Sequence, residues 1–201
     1  MPEFASNRVT PQSVKRMVAF LLIVIILGVL IAAFVGIYNS LVRLRNTADQ
    51  SWSDIDVQLK RRHDLVPNLV ETVKGYAAHE RGTFEKVVQA RNVAMQATSP
   101  ADKAQAENAL QTTLRSLFAL AESYPELKAN QNFIELQKEL SNIEEQIQLS
   151  RRYYNAVVRD LNTKIESVPS NIVANMYGFK KKEYFELDSA EERKAPEVRF
   201  G

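Results

Sequence analysis

The first pattern in the chain is an uninterrupted apolar run. Residues 17–38, MVAFLLIVIILGVLIAAFVGIY, hold no charge over 22 positions. At about 1.5 Å per residue a helix of that length reaches roughly 33 Å, against a hydrocarbon core of about 30 Å. A buried core helix and a cleaved signal peptide are the alternatives. Core helices rarely run so far without a polar face; signal peptides carry a shorter apolar stretch, and no small-x-small site follows Tyr38. The run predicts one transmembrane helix.

Beyond it the pattern changes to steps of three and four. Leu41, Leu44, Ala48, Trp52, Ile55 and Leu59, then Val66, Leu69, Val73 and Tyr76, form one seam with a single gap. Phe133, Leu136, Leu140, Ile143 and Ile147, then Tyr154, Val157, Leu161, Ile165 and Val168, form a second, with its gap at Ser150. Such spacing marks helices that bury one stripe against partners. Two shorter helical stretches, about 83–97 and 101–122, lie between them. TSPAD at 98–102 divides these, with Ser99 placed to cap a helix and Pro100 to open it. Gly82 and YPELKANQNF at 124–133 supply the other breaks, and Pro169 ends the last helix. The predicted fold is all-α: one N-terminal transmembrane helix continuing, without a linker, into an antiparallel bundle of two long and two short helices. The expected boundaries are a short N-terminal segment at 1–16, the membrane helix at 17–38, the bundle at 39–168 and a C-terminal tail at 169–201.

The gap in the first seam falls at Arg62, inside QLKRRHDLVPNLVETVK at 58–74. Lys60 has Asp56 and Asp64 four positions away and Arg61 has Asp64 three away, which are ordinary surface pairs. Arg62 has no carboxylate at either spacing and needs a partner from elsewhere if its seam is buried. Glu144, beside the second seam and without a basic neighbour of its own, is the proposed partner. Glu122, Glu135 and Glu145 are the other candidates, and the alternative is that Arg62 snorkels to solvent. Pro67 removes the amide that would bond the His63 carbonyl. A kink is expected there, with water or Asn68 taking the freed oxygen.

Composition narrows the chemistry. Apolar residues make up 45% and charged residues 25%, which suits a folded chain. Without cysteine there is no disulfide, thiolate or cysteine metal site. His63 and His79 are the only histidines, too few and wrongly spaced for a zincin or a Glu-x-x-His carboxylate site. His63 and Asp64 are adjacent and so do not face each other on a helix. No nucleophile elbow, phosphate loop or dinucleotide fingerprint appears, so no catalytic, metal or cofactor site is expected. A net charge of +2 gives no argument for nucleic acid.

Three features bear on the membrane. Gly28, Ala32 and Gly36 form a small-residue face that favours close helix contact in lipid and hence homo-oligomers. Lys180, Lys181 and Lys182, with Tyr177, Phe179, Tyr184 and Phe185, offer a lipid-facing patch. The carboxylates of Glu183, Glu186, Asp188, Glu191 and Glu192 follow, and docking of Tyr177, Phe179 and Phe185 on the bundle is the other reading. Arg8, Lys15 and Arg16 before the span outnumber Arg43 and Arg45 after it, which points the bundle out of the cytoplasm.

Several blocks resemble a known family. YNSLVRLRN at 38–46, WSDIDVQLKRRHDLVPNLVETVKGYAAHE at 52–80, ESYPELKANQNFIELQKELSNIEEQI at 122–147, RRYYNAVVRDLN at 151–162 and VPSNIVANMYGF at 168–179 are similar to the bacterial LemA family. The resemblance implies a membrane-associated protein with one membrane helix and a soluble antiparallel helical bundle. A relative within it is connected to magnetosome membranes. It supplies no reaction and no catalytic residues. The expected setting is the bacterial inner membrane, with partners among lipid, membrane or envelope proteins and further copies of the chain. The alternative functions are membrane remodelling or lipid-surface binding, and a metal-dependent enzyme or regulator.

Overall fold

The computed structural model describes residues 11–186, and no strand occurs among them. Arg8, Asp188, Glu191 and Glu192, invoked above, lie outside the described residues. Six helices follow in order: α1 (Pro11–Lys74), α2 (Arg81–Gln96), α3 (Pro100–Ala121), α4 (Pro125–Lys128), α5 (Gln131–Glu166) and α6 (Ser170–Met176). The chain divides into two compact units. One holds the described residues up to Arg43 with Thr163–Lys180; the other holds Leu44–Asn162 and the described residues from Lys181.

In the first unit, α1 presents its apolar run on every side. From Met17 to Val35 the large aliphatic side chains are exposed, and none of the most apolar stretch is buried. A soluble helix hides such residues on one face, so this helix is long and apolar enough to cross a membrane. The second part of this unit contains α6, within the segment that the sequence assigns to a tail. Ser170, Val173 and Ala174 form its inward face. The Tyr177 ring lies 6.1 Å from Phe34 and 4.7 Å from Tyr38, and Phe179 lies 6.0 Å from Tyr38. Gly178 at φ 68° permits the reversal after α6, with the Phe179 amide returning to the Ala174 carbonyl at 2.9 Å. Helix α5 stops at Glu166, so Val168 falls outside the seam and is 80% exposed. The proline that follows disfavours helical backbone at Val168.

In the second unit, four helices pack as an antiparallel bundle. Advancing along α1 from Trp52 to Arg62 corresponds to retreating along α5 from Tyr154 to Glu144. Phe118 of α3 meets Phe133 at the start of α5, so these two are also opposed. Asp56 with Lys103 and Arg62 with Glu107 run in step, which makes α1 and α3 parallel. Helix α2 opposes α1, since Arg91 reaches His63 while Arg81 and Phe84 sit near Val70 and Lys74. The core takes Ala48, Ile55, Leu59, Val66, Leu69 and Val73 from α1, and Leu140, Ile143, Ile147, Tyr154 and Leu161 from α5.

The boundary signals divide instructively. Ser99 caps α3 as expected from its sequence: its hydroxyl accepts the Asp102 amide at 3.0 Å, with Pro100 next. Gly82, expected as a break, instead lies in the first turn of α2, where backbone amides need no intrahelical acceptor. The break comes at Gly75, just after Lys74, which leaves Tyr76 beyond the helix and 38% exposed.

Candidate functional site: a buried charge cluster and a clamped segment

Arg62 interrupts an apolar seam yet is only 1% exposed, so its head does not reach solvent. Its Nη1 donates to Glu144 Oε1 at 2.5 Å, and its Nη2 donates to Glu107 Oε2. Glu107, on α3, is fully buried. His63 Nε2 lies 2.8 Å from Glu107 Oε1, and because an ionised carboxylate only accepts, the histidine donates. Asp64, next to His63 in sequence, turns outward to Lys60 at 2.7 Å. The cluster therefore links three helices through one guanidinium. Glu122, Glu135 and Glu145, the other carboxylates considered, are not its partners.

Glu107 lies outside both long seams, although its own helix carries a signal for it. Ala104, Glu107, Leu110, Leu114, Leu117 and Ala121 continue one helical stripe by threes and fours, and all are buried. A charge on such a stripe asks for a buried partner of opposite sign. Burial opposes the Arg62 charge, but Glu107 and Glu144 outweigh it and hold its pKa above the ordinary value. Burial likewise pushes the Glu107 carboxyl up. The His63 hydrogen bond and the Arg62 charge overcome this and hold it below the ordinary 4.5. A carboxylate so stabilised is a poor proton acceptor near neutrality, where a general base needs a matched pKa.

Pro67 acts through its missing amide. Helix α1 continues through it, and the freed His63 carbonyl accepts a hydrogen bond from Arg91 Nε of α2 at 2.7 Å. Asn68 does not take that role. We expect Arg91→Ala to cost about 1 kcal/mol, the usual net worth of one hydrogen bond, because this one is part-buried. In a Pro67→Ala background the new amide takes up the carbonyl, and the same change should cost less. Strictly additive losses in that double-mutant cycle would show that the two residues act separately.

The segment after Gly178 is held at the other end of the bundle. Asn162 donates to the Lys182 carbonyl and accepts its amide, both at 2.9 Å. Asn155 makes the same pair of bonds with Phe185, at 3.0 and 2.9 Å. Between them the Tyr154 hydroxyl donates to the Glu183 carbonyl at 2.9 Å. Burial, aided by Asp49 and Glu183, pushes that phenol up to about 12, so it stays protonated and remains a donor. Phe185 is fully buried, edge-on to Trp52 at 5.5 Å.

Other residues singled out by the sequence take different positions. Lys182 is engaged, its Nζ donating to Asp49 at 2.6 Å; Lys180 and Lys181 are exposed. Gly28, Ala32 and Gly36 are exposed, and a Cβ added at either glycine meets nothing within 4 Å. Among the described residues, no group of three or more His, Asp or Glu side chains is placed to hold a metal ion.

Comparison with known proteins adds the remaining fact. Protein LemA of Metamycoplasma hominis is 28% identical, over 82% of this chain and 75% of its own length. Magnetosome protein MamQ 2 of Paramagnetospirillum magneticum is 26% identical, over 88% and 76% respectively. MamQ of Magnetospirillum gryphiswaldense is 25% identical, over 74% and 64%. The LemA family pattern itself matches residues 51–200, a stretch that contains Arg62, Glu107, Glu144 and both clamping asparagines. This chain belongs to the LemA family.

Proposed function

We propose that the protein is a membrane-anchored helical scaffold, which self-associates or gathers partners at the bilayer and performs no reaction of its own. Residues 17–38 cross the bacterial inner membrane and 39–168 form the bundle, on the extracytoplasmic side by the balance of flanking cations. The observation that carries this reading is helix α1. One secondary element supplies both an apolar stretch exposed on every side and a seam buried in the bundle. Anchor and bundle thus share a helix, with no flexible linker between them. Membership of the LemA family and the likeness to MamQ support a membrane-associated role. The Arg62 cluster fits a scaffold, because slipping any of the three helices leaves a charge buried without its partner.

Self-association is assigned to the face of Gly28, Ala32 and Gly36, where small residues let helices approach closely in lipid. Gly28→Leu with Gly36→Leu tests it without disturbing the fold of one chain, since both positions are open. Sedimentation in density-matched detergent should show assemblies of the parent chain and smaller species for the double variant. A parent chain that sediments as a monomer would remove self-association from the reading, and a variant that assembles unchanged would remove the face of Gly28, Ala32 and Gly36 as its site.

A further inference from the structure

Helix α6 carries two opposed faces, and among the described residues only one has a partner. Ser170, Val173 and Ala174 are buried, while Ile172 and Met176, four apart on the helix, face outward, and Val168 in the turn just before it is exposed as well. The exposures of Ile172, Met176 and Val168 are 61%, 65% and 80%. A helix of a water-soluble domain places polar residues on that side. The position of α6 within its unit identifies what this outward face meets. Tyr177 follows directly and packs on Phe34 and Tyr38, the last turn of the apolar run. Phe34 stands four residues, about 6 Å, inside the end of that run. A ring in contact with it therefore lies at the depth where hydrocarbon gives way to headgroups. Tyrosines favour that boundary, with an apolar ring on one side and a wet hydroxyl on the other. Beyond the apolar run, the described residues of the same unit hold Arg43, Lys164 and Lys180 against Glu166, a balance that suits anionic headgroups.

We infer that α6 is a second membrane contact: an in-plane segment whose outward Ile172 and Met176, with Val168 just before it, enter the acyl–headgroup boundary beside the spanning helix. Interfacial helices of this kind sit about 5–10 Å into that boundary. The inference rests on residues 17–38 spanning the bilayer. It differs from a lysine-driven surface patch, because the contact is apolar and its place is fixed by the aromatic rings of the anchor.

The chain has no cysteine, so single probes can be placed cleanly. Full-length protein carrying Ile172→Cys, Met176→Cys, Leu27→Cys or Ser99→Cys would be labelled with an environment-sensitive fluorophore. It would then be reconstituted in phosphatidylcholine–phosphatidylglycerol vesicles containing lipids with shallow or deep nitroxides. Positions 27, 172 and 176 are exposed, so labelling there leaves the packing in place, while the half-buried Ser99 gives up only its cap on α3 and serves as the water-side control. The expected result is blue-shifted emission at positions 172 and 176, with greater loss to the shallow nitroxide than to the deep one. The probe at 27 should lose emission mainly to the deep nitroxide, and the one at 99 to neither. Probes at 172 and 176 that report water, with 27 quenched, overturn the inference and leave the anchor standing. Blue-shifted but unquenched probes that depend on protein density assign the outward face to a second copy, which also overturns it. A probe at 27 that escapes quenching refutes the anchor itself, and the inference with it.

Discussion

Glu107→Ala will destabilise the bundle by about 3–5 kcal/mol, the scale for removing one partner of a buried ion pair. The denaturant midpoint of the full chain in mild detergent measures it. Among the described residues Glu107 is the one carboxylate that meets both Arg62 and His63, and it is wholly buried. Without it, Arg62 keeps Glu144 alone and His63 loses its acceptor. Glu107→Gln should cost less, because the amide oxygen still accepts a hydrogen bond. A loss below about 1 kcal/mol, typical of a surface change, would show that the cluster holds little.

The same carboxylate carries a pH signature. Its folded-state pKa lies below 4.5, the ordinary value it regains on unfolding. Its contribution is therefore complete above 4.5 and is lost as pH falls through the depressed folded value. The gap in stability between the parent chain and Glu107→Gln should be widest above pH 4.5 and close below it. A gap that stays constant down to strong acid would mean that Glu107 does not titrate as an ion-paired group.

Phe185→Ala is the second large loss, about 3–5 kcal/mol for truncating a fully buried phenylalanine. The ring fills a site beside Trp52, which also meets Tyr154 at 5.3 Å and has Lys103 Nζ over its face at 5.4 Å. Emptying that site should alter Trp52 fluorescence, and this is the only tryptophan in the chain. A shift in Trp52 emission accompanied by a lowered denaturation midpoint is the expected pair. An unchanged midpoint would mean that the C-terminal segment contributes nothing to the bundle.

Periodicity exposed the long helices, because a buried stripe forces apolar residues to recur by threes and fours. Ser99 and Pro100 marked the start of α3 because capping is a local hydrogen bond. Arg62 stood out as a charge on a seam, and Glu144 could be named because both lay on strongly periodic helices. Glu107 was not legible as a partner because its stripe on α3 is shorter than the two long seams and opens on Ala104, which gives a weaker apolar signal. Arg91 was missed because its bond is to a backbone carbonyl, and nothing in the spacing of α2 points to a proline in α1. Helix α6 escaped notice because seven residues complete too few turns to display a period. Asn155 and Asn162 look like ordinary polar positions on α5 until the segment they hold is in place.

Those two asparagines have a consequence for how this part of the chain tolerates change. Each bonds an amide and a carbonyl of the main chain, and Tyr154 adds a third main-chain carbonyl between them. What they fix is the interval from Lys182 to Phe185, while the side chains of Glu183 and Tyr184 are free to vary. Length is therefore what the clasp constrains here: exchanging residues inside the interval leaves its main-chain bonds in place, whereas adding or deleting one puts Phe185 out of reach of its site.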